Sequence, residues 1–145
     1  MYFKILLVGD GDDGKTSFVD KFKPVRIDDT TSLVKLETNH GVISLEFLSV
    51  NMYEDADAEI IMFDLTRSMN VLNHIPQTTK PRVIVGNKFD LVDQIKVPDE
   101  QRYEKAKGYQ YYDISVKSSY NIDKPLVYLL TKLMPNAADI QCMTN

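Results

Sequence analysis

The chain has 145 residues, 43% hydrophobic and 26% charged, with a formal net charge of −4 and one cysteine. That size and balance suit one folded domain with a single core, expected over residues 1–145, and exclude collagenous, disordered and disulfide-built classes. The acidic charge argues against a nucleic-acid groove, and no apolar run approaches the ~20 residues that cross a bilayer. A lone cysteine, and a Met1 that leads almost directly into the first strand, give the expectation of an intracellular protein of the cytoplasm or nucleus with no leader peptide.

Residues 2–8 (YFKILLV) read as a strand and residues 16–22 (TSFVDKF) as the start of a helix. Between them, residues 9–16 (GDGDDGKT) fit G-x-x-x-x-G-K-[ST] at every fixed position, in the strand-to-helix setting that pattern requires. Glycines there let backbone N–H groups converge on phosphate oxygens at a helix start. Lys15 is then the electrophile on the β- and γ-phosphates, and the Thr16 hydroxyl a ligand for Mg²⁺. The candidate phosphate-binding set is Gly9, Asp10, Gly11, Asp12, Asp13, Gly14, Lys15, Thr16 and Ser17. Asp12 and Asp13 oppose that use: a carboxylate ~4 Å from a phosphate oxygen costs ~1 kcal/mol in water and several at lower dielectric, unless it points to solvent.

Residues 23–32 (KPVRIDDTTS) read as an exposed loop. Residues 33–37 and 42–48 form a hairpin about the turn Thr38-Asn39-His40-Gly41. His40 is a solvated turn residue, and with His74 and Cys142 it makes no zinc set. An acidic linker over 51–57 precedes a buried strand at 58–63, and residues 67–75 suggest a short helix stopped by Pro76. Residues 82–85 are an apolar strand, 98–107 a charged helix opened by proline and two acids, and 109–114 the last strand. The last helix, over 121–134, sets Ile122, Leu126, Leu129, Leu130 and Leu133 on one face.

Strands alternating with helices, most of them continuously apolar, predict an α/β fold of three layers. Its sheet is mostly parallel, with one antiparallel edge hairpin. The polar clusters at 9–16, 87–90 and 115–117 all follow strand ends, so they converge on the crevice where such sheets bind ligands.

Asn87-Lys88-Phe89-Asp90 fits the N-K-x-D element of small GTPases. A carboxylate at Asp90 accepts from both N1–H and the 2-amino group of guanine, neither of which adenine offers. The wrong base leaves those acceptors unpaired at a cost of a few kcal/mol. This same element counts against a phosphate-loop ATPase or kinase.

The resemblance extends nearly end to end, toward the Ran-like GTPases of nuclear transport. It is carried by Leu7-Val8-Gly9-Asp10-Gly11, Gly14-Lys15-Thr16 with Phe18-Val19, Thr38-Asn39 with Gly41, Ile60-Ile61-Met62-Phe63-Asp64, and Gly86-Asn87-Lys88 with Asp90. The longest similar run is Gln110-Tyr111-Tyr112-Asp113-Ile114-Ser115, followed by Lys117-Ser118, Tyr120-Asn121 and Lys124-Pro125. The resemblance implies GTP/GDP and Mg²⁺ as ligands. It places Ser115, Val116 and Lys117 in the S-A-K element that supports the base, with the Lys88 stem along the guanine ring. It implies regulators or transport receptors of the Ran type as partners, and neither nucleic acid nor membrane. Cys142-Met143-Thr144-Asn145 sets a cysteine fourth from the end, but Thr144 is not aliphatic and no basic residues precede it, so lipidation is not expected.

The chain also departs from that family. The D-x-x-G-Q segment of switch II is missing, and Ser49 or Asn51 stands where the Mg²⁺-side aspartate belongs. With no glutamine to orient water, hydrolysis is expected to be very slow. The alternative is a non-hydrolysing Ran mimic that occupies transport factors or regulators, with apolar surface bared by the missing segment. Asp64 is read as a structural cap, because Ran-like sequences carry it in addition to the switch II aspartate. By the same resemblance, the switch I threonine that closes on Mg²⁺ falls to Thr30 or Thr31, the bulk of Asp12 obstructs an activator's arginine, and control by an acidic C-terminal tail is not expected.

Overall fold

In the computed structural model, which describes residues 1–9, 11, 14–49, 55–73 and 75–143, seven strands form one sheet. They are β1 (Tyr2–Gly9), β2 (Val25–Arg26), β3 (Thr31–Thr38), β4 (Gly41–Leu48), β5 (Ala58–Asp64), β6 (Arg82–Asn87) and β7 (Gln110–Asp113). The helices are α1 (Lys15–Asp20), α2 (Asp99–Lys105) and α3 (Lys124–Leu133). The strand order is β2-β3-β4-β1-β5-β6-β7. Pairing is parallel from β4 through β1, β5, β6 and β7, and antiparallel at β2–β3 and β3–β4.

Every residue of β5 and β6 is buried, as expected of central strands covered on both faces. On one face, Ile5, Leu7, Val34, Leu45, Ile60 and Val85 pack against Phe18 and Val19 of α1 and Leu126, Leu129 and Leu130 of α3. On the other, Ile61, Phe63, Ile84 and Tyr111 pack against Met69, Val71, Val97 and Ala106. Helices and turns thus lie on both sides of the sheet, the three-layer arrangement the apolar pattern predicts. The helical spacing of Leu126, Leu129 and Leu130 is what docks α3, and each such side chain contributes ~1.5–3 kcal/mol through burial.

Three element boundaries differ from the sequence reading. The 23–32 loop contains the two-residue strand β2, which pairs Val25 with Leu33 and Arg26 with Ser32. The helix expected over 67–75 is a single 3₁₀ turn, Asn70–Asn73; Asn and Val are weak helix formers and only Val71 of the turn is buried. The last helix starts at Lys124 because Asn121 sits at φ 57°, outside right-handed helix, with its Nδ2 donating to the Asp113 carbonyl (3.1 Å).

The hairpin face turned from the core is mixed, with Leu33 and the exposed Val42 set among polar side chains. Alternation turns Lys35, Glu37, Ser44 and Glu46 away from the core, and the Tyr2 hydroxyl donates to Glu46 Oε1 (2.5 Å). Leu6, Leu48 and Ala56 bury one another in a small separate cluster. Among the described residues, no helix is long and apolar enough to cross a membrane.

At the amino ends of the parallel strands, the hairpin tip is tied to the segment after α3. Thr38 bridges to Cys142, Met143 N–H donates to the Glu37 carbonyl (2.8 Å), and His40 Nε2 lies 2.7 Å from Asp139 Oδ1. His40 is therefore paired rather than merely solvated. Burial there, aided by Asp123, pushes the Cys142 thiol up to about 11.

Candidate functional site

A cleft of about 570 Å³ opens at the carboxyl ends of β1 and β6. Seven of the residues picked from the sequence line it: Gly14 and Ser17 from the start of α1, Asn87, Lys88 and Asp90 after β6, and Val116 and Lys117 after β7. Ser115 lies beneath them, fully buried. Gly9 ends β1, Gly11 is exposed, and Lys15 donates from Nζ to the Gly9 carbonyl (3.0 Å). Asp10, Asp12 and Asp13 lie outside the described residues, as do Asn51 and His74.

The loops are locked to one another by buried polar contacts. Val116 N–H donates to Asn87 Oδ1 (3.0 Å), joining the ends of β6 and β7. Gly14 stands at φ 99°, and a Cβ there would fall 2.3 Å from Asn87 Nδ2, so only glycine lets the phosphate loop approach this closely. Ser115 Oγ donates to Asp90 Oδ1 (2.8 Å) and accepts from Ser118 N–H (3.1 Å). One carboxylate oxygen is thereby fixed, while the group keeps acceptor capacity for a second partner. Lys88 is held at φ 70°, and its ammonium pairs with Asp64 Oδ2 (2.8 Å). Leu91, Val116 and the lysine stems give the cleft an apolar lining suited to a flat ring.

Asp64 is a cap, as read: Oδ1 accepts from Thr66 N–H (2.8 Å) and from Thr66 Oγ1 (2.6 Å). Burial raises its carboxyl, but hydrogen bonds from Lys88 and Thr66 outweigh burial and hold it below the usual carboxylate range.

The magnesium side is sparser. Thr16 is exposed at the mouth of the site. Thr30 donates from N–H (2.8 Å) and Oγ1 (3.0 Å) to Asp28 Oδ1, and these hydrogen bonds hold Asp28 below its ordinary range. Ser49 follows β4 and donates from both N–H (2.9 Å) and Oγ (3.1 Å) to the Thr30 carbonyl. No group of three or more His, Cys, Asp or Glu side chains able to hold a metal occurs among the described residues. Hydroxyl oxygens of this kind suit a hard cation such as Mg²⁺ that draws its remaining ligands from phosphates and water.

Residues 23–135 match the Ras family. The chain belongs to the Ras family. That span holds both Asn87-Lys88-Phe89-Asp90 and Ser115-Val116-Lys117, the two loops that frame the cleft. Ras-family proteins are small GTPases that in general bind GTP or GDP with Mg²⁺, and the mostly parallel sheet with its antiparallel edge is consistent with the α/β domain of that family.

Asp20, Lys21 and Leu91 also line the cleft and were missed in the sequence. Spacing could have found two of them: Asp20 and Lys21 stand three and four residues after Ser17, on the same helix face. Asp20 is tied to β2 by Arg26 Nη2 (2.6 Å), which fixes that wall of the cleft. A second miss is the support under the base loop. Arg102 of α2 pairs with Asp113 Oδ2 (2.8 Å), Tyr111 donates its hydroxyl to Asp113 Oδ1 (2.6 Å), and the Arg102 guanidinium lies 5.9 Å from the centre of the Phe89 ring.

Proposed function

We propose that the protein binds guanine nucleotides at this cleft as a Ran-like small GTPase with very slow hydrolysis. The observation that carries the reading is the Asp90 carboxylate, anchored on one oxygen by Ser115 Oγ at the edge of an apolar cleft. A carboxylate held this way is set to accept the N1–H and 2-amino donors of guanine, which no adenine nucleotide presents. In this account Gly9, Asp10, Gly11, Asp12, Asp13, Gly14, Lys15, Thr16 and Ser17 bind the phosphates. Asn87, Lys88, Asp90, Ser115, Val116 and Lys117 bind the base. Lys15 polarises the β- and γ-phosphates, and the Thr16 hydroxyl, with Thr30 or Thr31 as the second, would hold Mg²⁺, which would supply charge neutralisation.

Slow turnover follows from what occupies the catalytic side. Ser49 bonds the Thr30 backbone, and the Thr30 hydroxyl is committed to Asp28. The sequence carries no D-x-x-G-Q run to orient a water. Loss of the activating arginine alone is worth ~10³–10⁵ in rate in this class. The likeness to Ran-like sequences at Ile60-Ile61-Met62-Phe63-Asp64 and Gln110-Tyr111-Tyr112-Asp113-Ile114-Ser115 supports regulators or transport receptors as protein partners, in the cytoplasm or nucleus.

Titration calorimetry with GDP, GTP and ATP, followed by single-turnover hydrolysis of radiolabelled GTP, tests both halves. The expected result is binding of GDP and GTP but not ATP, with turnover no faster than the ~10⁻⁴ s⁻¹ of a small GTPase without its activator. Equal binding of ATP would refute the base assignment; fast unaided hydrolysis would refute the second half alone.

A further inference from the structure

The ion pair between Lys88 and Asp64 is not needed to cap β5, because Asp64 Oδ1 already serves Thr66. Its second oxygen is spent wholly on Lys88 Nζ, at 2.8 Å, with the aspartate side chain only 5% exposed and the lysine 35%. Asp64 and Asn87 are register partners at the ends of β5 and β6, and Leu65 N–H donates to the Asn87 carbonyl (3.0 Å). Lys88 therefore reaches back from the β6 loop across the end of β5, toward the strand that carries the phosphate loop. A lysine is otherwise among the most mobile side chains, and freezing it costs up to ~2 kcal/mol of rotamer entropy.

We propose that Asp64 is a positioning residue for nucleotide binding, pinning the Lys88 side chain so that its methylene stem, with its charge neutralised, forms the ledge on which the base lies. The inference rests on the guanine-nucleotide reading of the cleft. It assigns Asp64 a role through Lys88 that a plain cap does not have. In the ligand-free protein the pair keeps the ledge formed before nucleotide arrives, so binding pays less to order it.

The test is a double-mutant cycle read by dissociation constants for a fluorescent N-methylanthraniloyl-GDP, titrated into the millimolar range. Asp64→Asn retains an acceptor for Thr66 but presents an amide to the lysine. It is expected to weaken binding about tenfold while Lys88 is present, and to change it less than about twofold in a Lys88→Met background, because contacting residues couple. Thermal melting without nucleotide reports separately on the cap. An Asp64→Asn affinity equal to the parent, or effects of the two substitutions that simply multiply, would overturn the inference. Failure of the parent protein to bind the probe would instead overturn the nucleotide reading beneath it, and the inference with it.

Discussion

The backbone of Gly14 and the side chain of Asn87 occupy space that a single methyl group would close: a Cβ on Gly14 would lie 2.3 Å from Asn87 Nδ2. Asn87 is 3% exposed, and its Oδ1 is engaged with Val116, so it has nowhere to retreat. Gly14→Ala is expected to destabilise the fold by about 2–3 kcal/mol, combining left-handed strain with displacement of a buried amide. Urea unfolding measures this, and GDP affinity should fall with it. An alanine variant with parental stability would mean that the phosphate loop and the base loop are not in contact.

How much of this was legible in the sequence depends on the range of the interaction. The hairpin about Asn39 and His40 and the α3 stripe rest on local spacing, and each stands where spacing puts it. Asn87, Lys88 and Asp90 were legible as cleft residues because they form a polar run directly after an apolar strand, and all three line the cleft. The two-residue strand β2 was not, since its only signal is pairing with β3. Nor was the mixed character of the sheet face opposite α1 and α3: Leu33, Lys35, Glu37 and Glu46 show it only once the register with β4 is known. The Lys88 tie to Asp64 joins residues 24 positions apart and leaves no mark in either segment.

At the opposite end from the cleft, Glu59 and Arg82 form an ion pair with side chains 1% and 2% exposed. Arg82 Nη2 also donates to the Pro76 carbonyl (2.7 Å), and its guanidinium lies 5.0 Å from the Tyr109 ring centre. Removing one partner strands a buried charge, so Glu59→Ala is expected to cost about 3–5 kcal/mol. Glu59→Leu combined with Arg82→Met should recover most of that loss, since a packed apolar pair avoids the desolvation. Chemical denaturation of the three variants checks it, and a double variant no better than the single would argue that the Pro76 contact dominates.

Asp64 also sets an acid limit. Its folded carboxyl is held below the ordinary value of 3.8, so the unfolded chain takes up the proton first. Its contribution to stability is therefore complete above the unfolded pKa and is lost as pH falls below about 3.8 through the depressed folded pKa. Urea midpoints measured from pH 7 to pH 2.5 should show a constant gap between the parent and Asp64→Asn down to about pH 5, closing at lower pH. A gap that widens in acid would contradict the ion pair with Lys88.

The base-recognition claim rests on Asp90 and on the Ser115 hydroxyl that anchors it. The most direct measurement is calorimetric titration of the parent protein and of Asp90→Asn with GDP and with xanthosine diphosphate. An asparagine amide can donate to the xanthine 2-oxo group where a carboxylate can only accept. The account predicts that the parent prefers GDP and that the variant prefers xanthosine diphosphate, a reversal of at least about tenfold in each ratio. A preference that does not move with this substitution would place the base elsewhere and contradict the account.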